Sequence, residues 1–462
     1  MKKATQIDMI NGPVLKKLLL YAIPLMLSGI LQLLFNAADM VVVGRWAGGD
    51  AFAAVGASAP LTGLLVNIFI GFAGGASVLV AQSYGSRNEQ YVHKTVHTAM
   101  LTGLISGVFA MMVGLLGSRT FLIWMNTPPE VMELSVLYVR IYFLGLPAMM
   151  VYNFGAAVLR SVGDTQHPLW FLTIGGVVNV VLNMLAVVVL QWSVAGVAIA
   201  TVAAQIVSAV LVVRFMMRQN NCCRLILREL KIYSGALREI LRFGIPTGIQ
   251  SAMFCFSNVV IQSSINSLGS LVMQGSAAAS NLESFAATAE VAFMHTTITF
   301  VGQNAGAKKY RRIPKIVGCC VLLTTLVGFV LGNGIYLLRE PLLRIYLPDA
   351  AEAVRYGMIR TTINMIPHFL YGVMEVLGGA LRGMGASLLP TSLSLTGTCF
   401  ARMVWVFTVF AQHPSAEMLF LCYPFTWTLT ILLELCALWI FWLRLKRKNA
   451  DAFSSLPAES AV

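Results

Sequence analysis

The chain has 462 residues, 58% of them hydrophobic and 11% charged, whereas a water-soluble domain carries about 25% charged residues. Such a sequence cannot wet a globular surface, which excludes an ordinary soluble enzyme, a disordered chain and a disulfide-bonded secreted scaffold. The net charge of +13 tempts a nucleic-acid reading, but in a membrane protein basic residues collect in cytoplasmic loops, so their placement decides.

A helical span needs about 20 residues to cross a hydrocarbon core about 30 Å thick, so the chain has room for roughly a dozen. Hydropathy puts six near residues 16–43, 50–80, 93–117, 131–155, 168–190 and 193–216. Six more follow near 240–267, 274–301, 315–338, 353–379, 388–411 and 416–443. The alternating pattern of a transmembrane barrel is absent, so the spans are read as helices. Met1-Lys2-Lys3 and the apolar run from Leu18 have the outline of a secretion signal. The run continues to about Val43 without a small-residue cleavage site, and reads as a retained first span. With the N-terminus inside, inside segments hold 24 of the 32 Lys and Arg residues and outside loops hold 5. That bias predicts an even number of spans with both termini cytoplasmic, in a plasma membrane.

The chain repeats itself at a shift of about 222. Ile23-Pro24 recurs as Ile245-Pro246, and Val80-Ala-Gln82-Ser-Tyr-Gly85 as Val301-Gly-Gln303-Asn-Ala-Gly306. Arg140 with Pro147 recurs as Arg360 with Pro367, and Leu159-Arg160-Ser-Val-Gly163 as Leu381-Arg382-Gly-Met-Gly385. Six spans per repeat make the halves parallel, related by an axis along the membrane normal. The expected organisation is an N-lobe over 1–216, a basic cytoplasmic linker over 217–239, a C-lobe over 240–443 and a polar tail over 444–462.

Ionisable groups inside spans cost about 2.5–3.5 kcal/mol each on insertion scales, so each calls for a reason. Asp39, in Phe35-Asn-Ala-Ala-Asp39-Met-Val-Val-Val-Gly44, is the foremost candidate for a proton or cation site; the structural alternative is a helix-end pair with Arg45. Glu283 and Glu290, seven residues apart, share a helix face, and Glu375 lies in the tenth span. These three are the candidates for holding a substrate in a central cavity, while Glu434 reads as structural. Pro24, Pro147, Pro246 and Pro367 interrupt apolar runs and are the candidate hinges.

Enzyme signatures are lacking: there is no GxxxxGK[ST], HExxH or GxSxG, and no DDxxD. The eight cysteines form no CxxC pair and are expected to be free thiols. His93 and His97 share a helix face, but no third ligand is evident in the sequence, so no metal site is expected there. Without a nucleotide site, an active transporter of this kind would draw on an ion gradient.

Several segments carry a family resemblance. Gly12-Pro13-Val-Leu-Lys16-Lys17 through Ile23-Pro24, Asp39 to Gly44-Arg45, Ala53-Ala54-Val55-Gly56, Val301-Gly302-Gln303-Asn304-Ala305-Gly306-Ala307 and Leu381-Arg382-Gly383-Met384-Gly385 resemble multidrug and toxic compound extrusion (MATE) transporters along essentially the whole chain. The resemblance implies twelve helices in two parallel six-helix bundles around a central cavity, a monomer, and export of organic cations or other amphipathic compounds against inward H⁺ or Na⁺. Phe254 stands where one branch of the family has a glutamate, so the chain looks like the DinF-like branch. That likeness implies a cation site of Asp39, Asn179 and Thr201, with Asn183 where the branch carries a second aspartate. One carboxylate in place of two favours H⁺, though Na⁺ at Asp39 stays open; no other metal, cofactor or nucleic acid is expected. A lipid-linked oligosaccharide flippase of the wider superfamily is the alternative reading.

Overall fold

The computed structural model describes residues 6–348 and 350–448; the end of the expected polar tail, from 449, lies outside the described residues. Every regular element among them is helical. The N-terminal half comprises α1 (Val14–Val42), α2 (Gly49–Gly85), α3 (Glu89–Trp124), α4 (Pro129–Leu144), α5 (Leu146–Ser161), α6 (Gln166–Asn183) and α7 (Ser193–Met217). The C-terminal half begins with α8 (Ser234–Ser267), α9 (Ser270–Gly306), α10 (Arg312–Leu337) and the short α11 (Arg339–Tyr346). It continues with α12 (Ala351–Met365), α13 (Phe369–Gly383), α14 (Leu388–Ser394), α15 (Ala401–Trp405), α16 (Ala416–Phe420) and α17 (Cys422–Lys448).

These helices group into twelve segments of membrane-crossing length. Among the described residues nine are long and apolar enough by composition, and α4 with α5, bent by 46°, makes a tenth. The other two are α9, rich in Ala, Ser and Thr and holding Glu283 and Glu290, and the α12–α13 pair, holding Arg360 and Glu375. Both of these segments carry charged side chains within the span. Large apolar side chains stay uncovered elsewhere: Leu116 is 81% exposed, Trp124 73% and Phe407 71%. A water-facing surface of that kind would associate, while hydrocarbon accepts it. All eight cysteines are free.

The repeat survives in the backbone. Gly163 and Gly385, which close the corresponding loops after α5 and α13, both take φ of +97°, a conformation only glycine adopts without strain. Pro147 stands at the start of α5, just after its break from α4, and Pro367 stands in the break between α12 and α13. Pro24 and Pro246, by contrast, lie inside the unbroken α1 and α8.

The described chain packs as two compact units whose boundaries differ from the expected cuts at 216 and 240. One holds Leu27–Ala252 together with Gln6 and Ile7; the other holds Asp8–Met26 and the chain from Met253. Of the three dividing lines, one falls before α1, between Ile7 and Asp8, and two fall within a helix, α1 and α8, a few residues beyond Pro24 and Pro246. The reason is local packing. In the first unit α8 lies backbone-to-backbone on α2, where a Cβ added to Gly71 would sit 2.6 Å from the Gly248 nitrogen. In the second, Tyr21 donates to Thr299 Oγ1 at 3.1 Å and meets Phe300 edge-on at 5.5 Å. Asn304 Nδ2 there donates to the Met9 carbonyl at 3.0 Å.

Candidate functional site

In the first unit, Asp39 lies near the end of α1, half-buried, and accepts a short hydrogen bond from Asn183 Nδ2. Asn179, one turn earlier on α6, also reaches the carboxylate, and its Nδ2 bonds Thr201 Oγ1 on α7 at 3.3 Å. Thr201 in turn donates to the Val197 carbonyl at 3.0 Å. The structure therefore brings all four sequence-derived residues together. Arg45 is exposed, and the carboxylate turns to the amides instead.

Two features give this cluster chemical content. The Oδ1 atoms of Asn179 and Asn183 are buried and face no donor among the described residues, which costs roughly 1–3 kcal/mol for each such group. A proton on Asp39 would supply a donor, and Na⁺ would accept the same oxygens as ligands. Both supporting helices then loosen into single π turns, Val43–Ala47 after α1 and Met184–Val189 after α6. These turns pack together through Val43 and Val187. Such turns recur at functional sites because they interrupt the regular backbone ladder.

The second unit contains a cavity of about 450 Å³. Its walls hold Glu283, Arg360, Glu375 and Arg402, with Tyr371, Tyr423 and Trp427 supplying aromatic faces. Glu283 is not free: Arg360 Nε and Nη2 donate to its two oxygens at 2.9 and 2.7 Å, and Asn364 Nδ2 adds a bond at 3.0 Å. Arg360 Nη1 reaches Ser276 Oγ at 2.5 Å, so the guanidinium is satisfied as well. Glu290 stays out of the cavity wall, fully buried, with His368 Nδ1 3.0 Å from its carboxylate. Glu375 lines the cavity, with the charge of Arg382 acting on it through space. Glu434 is buried and accepts from Ser394 Oγ at 3.3 Å.

The linker supplies the ligand type that the sequence lacked beside His93 and His97: Glu229 carries its carboxylate to within 3.0 Å of His93 Nε2. These three groups lie within 4.8 Å of one another. Both nitrogens of His97 are already engaged, however. Its Nδ1 bonds the His93 carbonyl at 2.8 Å, and its Nε2 accepts the Ile226 amide at 3.1 Å. The network assigns a neutral His97 that ties the linker to α3, which is a structural task.

The MatE family model matches this chain twice, over residues 24–185 and 246–408. The chain belongs to the MatE family. MATE proteins are transporters, not enzymes, and this one is a multi-pass membrane protein. The two matched segments start 222 residues apart, the shift of the internal repeat. It is 27% identical over 425 residues to the probable multidrug resistance protein YoeA of Bacillus subtilis, covering 90% of this chain and 91% of that one. It is 17% identical over 434 residues to the multidrug export protein MepA of Staphylococcus aureus, covering 93% of each. Its fold matches an outward-facing structure of a multidrug resistance MATE family transporter with a TM-score of 0.90, at 17% identity, over 97% of this chain and 100% of that one.

In this MATE transporter the second unit adds residues that no motif in the sequence marks. Arg402, His368, Tyr423 and Trp427 all line the cavity. Arg402 lies in the eleventh apolar run, and its position in the repeat is the signal that could single it out: it stands beside the counterpart of Asn179.

Proposed function

We propose that this protein is a secondary antiporter that expels amphipathic organic compounds in exchange for an inward-moving H⁺ or Na⁺ across the plasma membrane, with both termini cytoplasmic and a single chain as the working unit. The observation that carries the reading is the Asp39 cluster, where one carboxylate faces two buried amide oxygens that have no donor. An arriving cation satisfies these oxygens and neutralises the carboxylate, and its departure restores the charge. Such a difference between two ligation states is what a carrier needs to bias two conformations. One carboxylate is enough for one proton, which favours H⁺. The names of the relatives, multidrug resistance and multidrug export proteins, support small organic substrates. Glu375 at the cavity wall would attract their cationic portion, and the aromatic walls would take the apolar body.

The test is uptake of a fluorescent cationic dye by everted membrane vesicles, driven in turn by a proton and a sodium gradient, with Asp39→Asn alongside. Dye movement that follows one gradient and disappears in the variant supports the antiporter and identifies the ion. Wild-type movement that persists undiminished in Asp39→Asn refutes the role of Asp39. No movement under either gradient refutes antiport of such compounds and turns attention to lipid-linked substrates.

A further inference from the structure

The two halves share a backbone plan but differ in charge at one corresponding place. At a shift of 222, Asp39 corresponds to Ile261, Asn183 to Trp405 and Thr201 to Tyr423. The counterpart of Asn179 is Ala401, and its neighbour is Arg402. The π turn Met184–Val189 has its counterpart in Val406–Phe410, so the helix geometry is kept while the chemistry changes. Where the first unit offers a carboxylate and amide oxygens, the second offers a guanidinium over a phenol ring.

That guanidinium lacks what a buried cation requires. Arg402 is 6% exposed, and among the described residues it forms no ion pair. Its Nε faces no acceptor, its Nη1 has only a long 3.5 Å contact with Asn258 Oδ1, and its carbon lies 4.5 Å from the centre of the Tyr423 ring. Cation–π contact returns only part of the lost hydration of a buried charge. Arg360, on the same cavity wall, shows the contrast: Glu283 takes two of its donors, Nε and Nη2, and Ser276 takes Nη1. Arg cannot shed its proton. The group therefore stays charged at the edge of a 450 Å³ cavity, and a guanidinium in that place suits an anionic oxygen.

We infer that Arg402 is an anion-recognition site of the C-terminal cavity, reading a carboxylate or phosphate group on the transported compound. With Glu375 on the same wall, the cavity suits zwitterionic amphiphiles: the anionic group on Arg402, the cationic group toward Glu375, and the ring system on Tyr423 and Trp427. The assignment rests on the antiporter reading for its substrate but not for its test, which is an equilibrium measurement without a gradient. The anionic oxygens could also belong to a lipid headgroup, so the test separates the two sources.

The probes are rhodamine 110, which has a free carboxylate, and rhodamine 123, its methyl ester. Binding to the full chain in phosphatidylcholine nanodiscs is followed by fluorescence anisotropy for wild type, Arg402→Gln and Arg402→Lys. Wild type is expected to prefer rhodamine 110. Arg402→Gln should weaken rhodamine 110 by about 10- to 100-fold, the worth of a charge-assisted pair, and leave rhodamine 123 within about twofold, which also shows the variant folded. Arg402→Lys should restore part of the loss, since it keeps the charge but not the fork. Equal affinity of wild type for both dyes, or equal loss of both in Arg402→Gln, overturns the proposal. So does a wild-type preference that vanishes when phosphatidylglycerol is added, by an effect absent from Arg402→Gln, because a lipid would then be the natural occupant.

Discussion

The Glu283–Arg360 pair gives the most direct quantitative test of how this cavity is held. Replacing Glu283 by Gln keeps the shape and one acceptor but removes the charge that Arg360 meets through bonds of 2.9 and 2.7 Å. Removing one member of a buried pair costs about 3–5 kcal/mol, because the other charge is left unpaired. Here the Ser276 bond remains, and the rings of Phe420 and Tyr423 lie 5.5 and 5.6 Å from the guanidinium carbon. Those contacts place the expected loss toward the lower end, about 3 kcal/mol. Arg360→Gln should cost a similar amount, since Asn364 alone then serves the carboxylate. The double variant should cost far less than the sum, with a coupling energy of about 2–3 kcal/mol. The assay is reversible unfolding in mixed SDS micelles, followed by tryptophan fluorescence for all four proteins of the cycle. If Glu283→Gln costs under about 1 kcal/mol, or the two losses simply add, the pair is not the support described.

Two further outcomes follow from packing outside the cavity. Gly71→Val puts a side chain against the Gly248 backbone; overpacking of this kind costs about 1–3 kcal/mol or more, and the variant should lose most of its monodisperse peak on gel filtration. Gly63→Ala, at a position with nothing within 4 Å, should match wild type in the same experiment. His97→Phe removes the acceptor of the Ile226 amide, worth about 1–3 kcal/mol locally. Trypsin should then cleave at Arg224 and Arg228 about tenfold faster or more, with unfolding of the remainder unchanged; an unaltered cleavage rate would show that His97 does not hold the linker.

Much of the fold is legible in the sequence because it is written in one-dimensional signals. Apolar runs mark the spans: α1 runs Val14–Val42 where hydropathy expects 16–43, and the repeated motifs fall at equivalent loops. The Asp39 set is legible by resemblance, since it rests on residue types at known places in two helices and a third. Partner choice is not written that way. Nothing near Glu283 in sequence points to Arg360, 77 residues later, and nothing near His93 points to Glu229, 136 residues later. Both pairings depend on which helix faces turn toward each other. The passage of α1 and α8 between compact units is hidden for the same reason, since it rests on close approach at glycines such as Gly71 and Gly248. A charge without a partner is hardest to read, because its isolation is a property of everything around it. Arg402 is such a charge.

The two candidate sites belong to different compact units, which bears on how the proposed driving cation would act on a substrate. The Asp39 cluster lies wholly in the first compact unit and the Arg402 cavity wholly in the second. On the proposed reading cation and substrate would meet different carboxylates, and coupling would pass through the balance between conformations. Linkage then demands reciprocity: whatever factor the cation imposes on dye affinity, the dye imposes on cation affinity. In nanodiscs without a gradient, the apparent Kd of rhodamine 123 should change by about 5-fold or more between the cation-loaded and cation-free conditions, the usual range of such coupling being about 1–3 kcal/mol. Asp39→Asn should hold one Kd under both conditions, since its site no longer changes charge. A dye Kd in wild type that ignores both pH and Na⁺ would break the link between the sites. A dependence that survives intact in Asp39→Asn would move the cation site elsewhere, to the buried Glu290–His368 pair first, because Glu290 is a buried acid whose histidine partner lines the cavity.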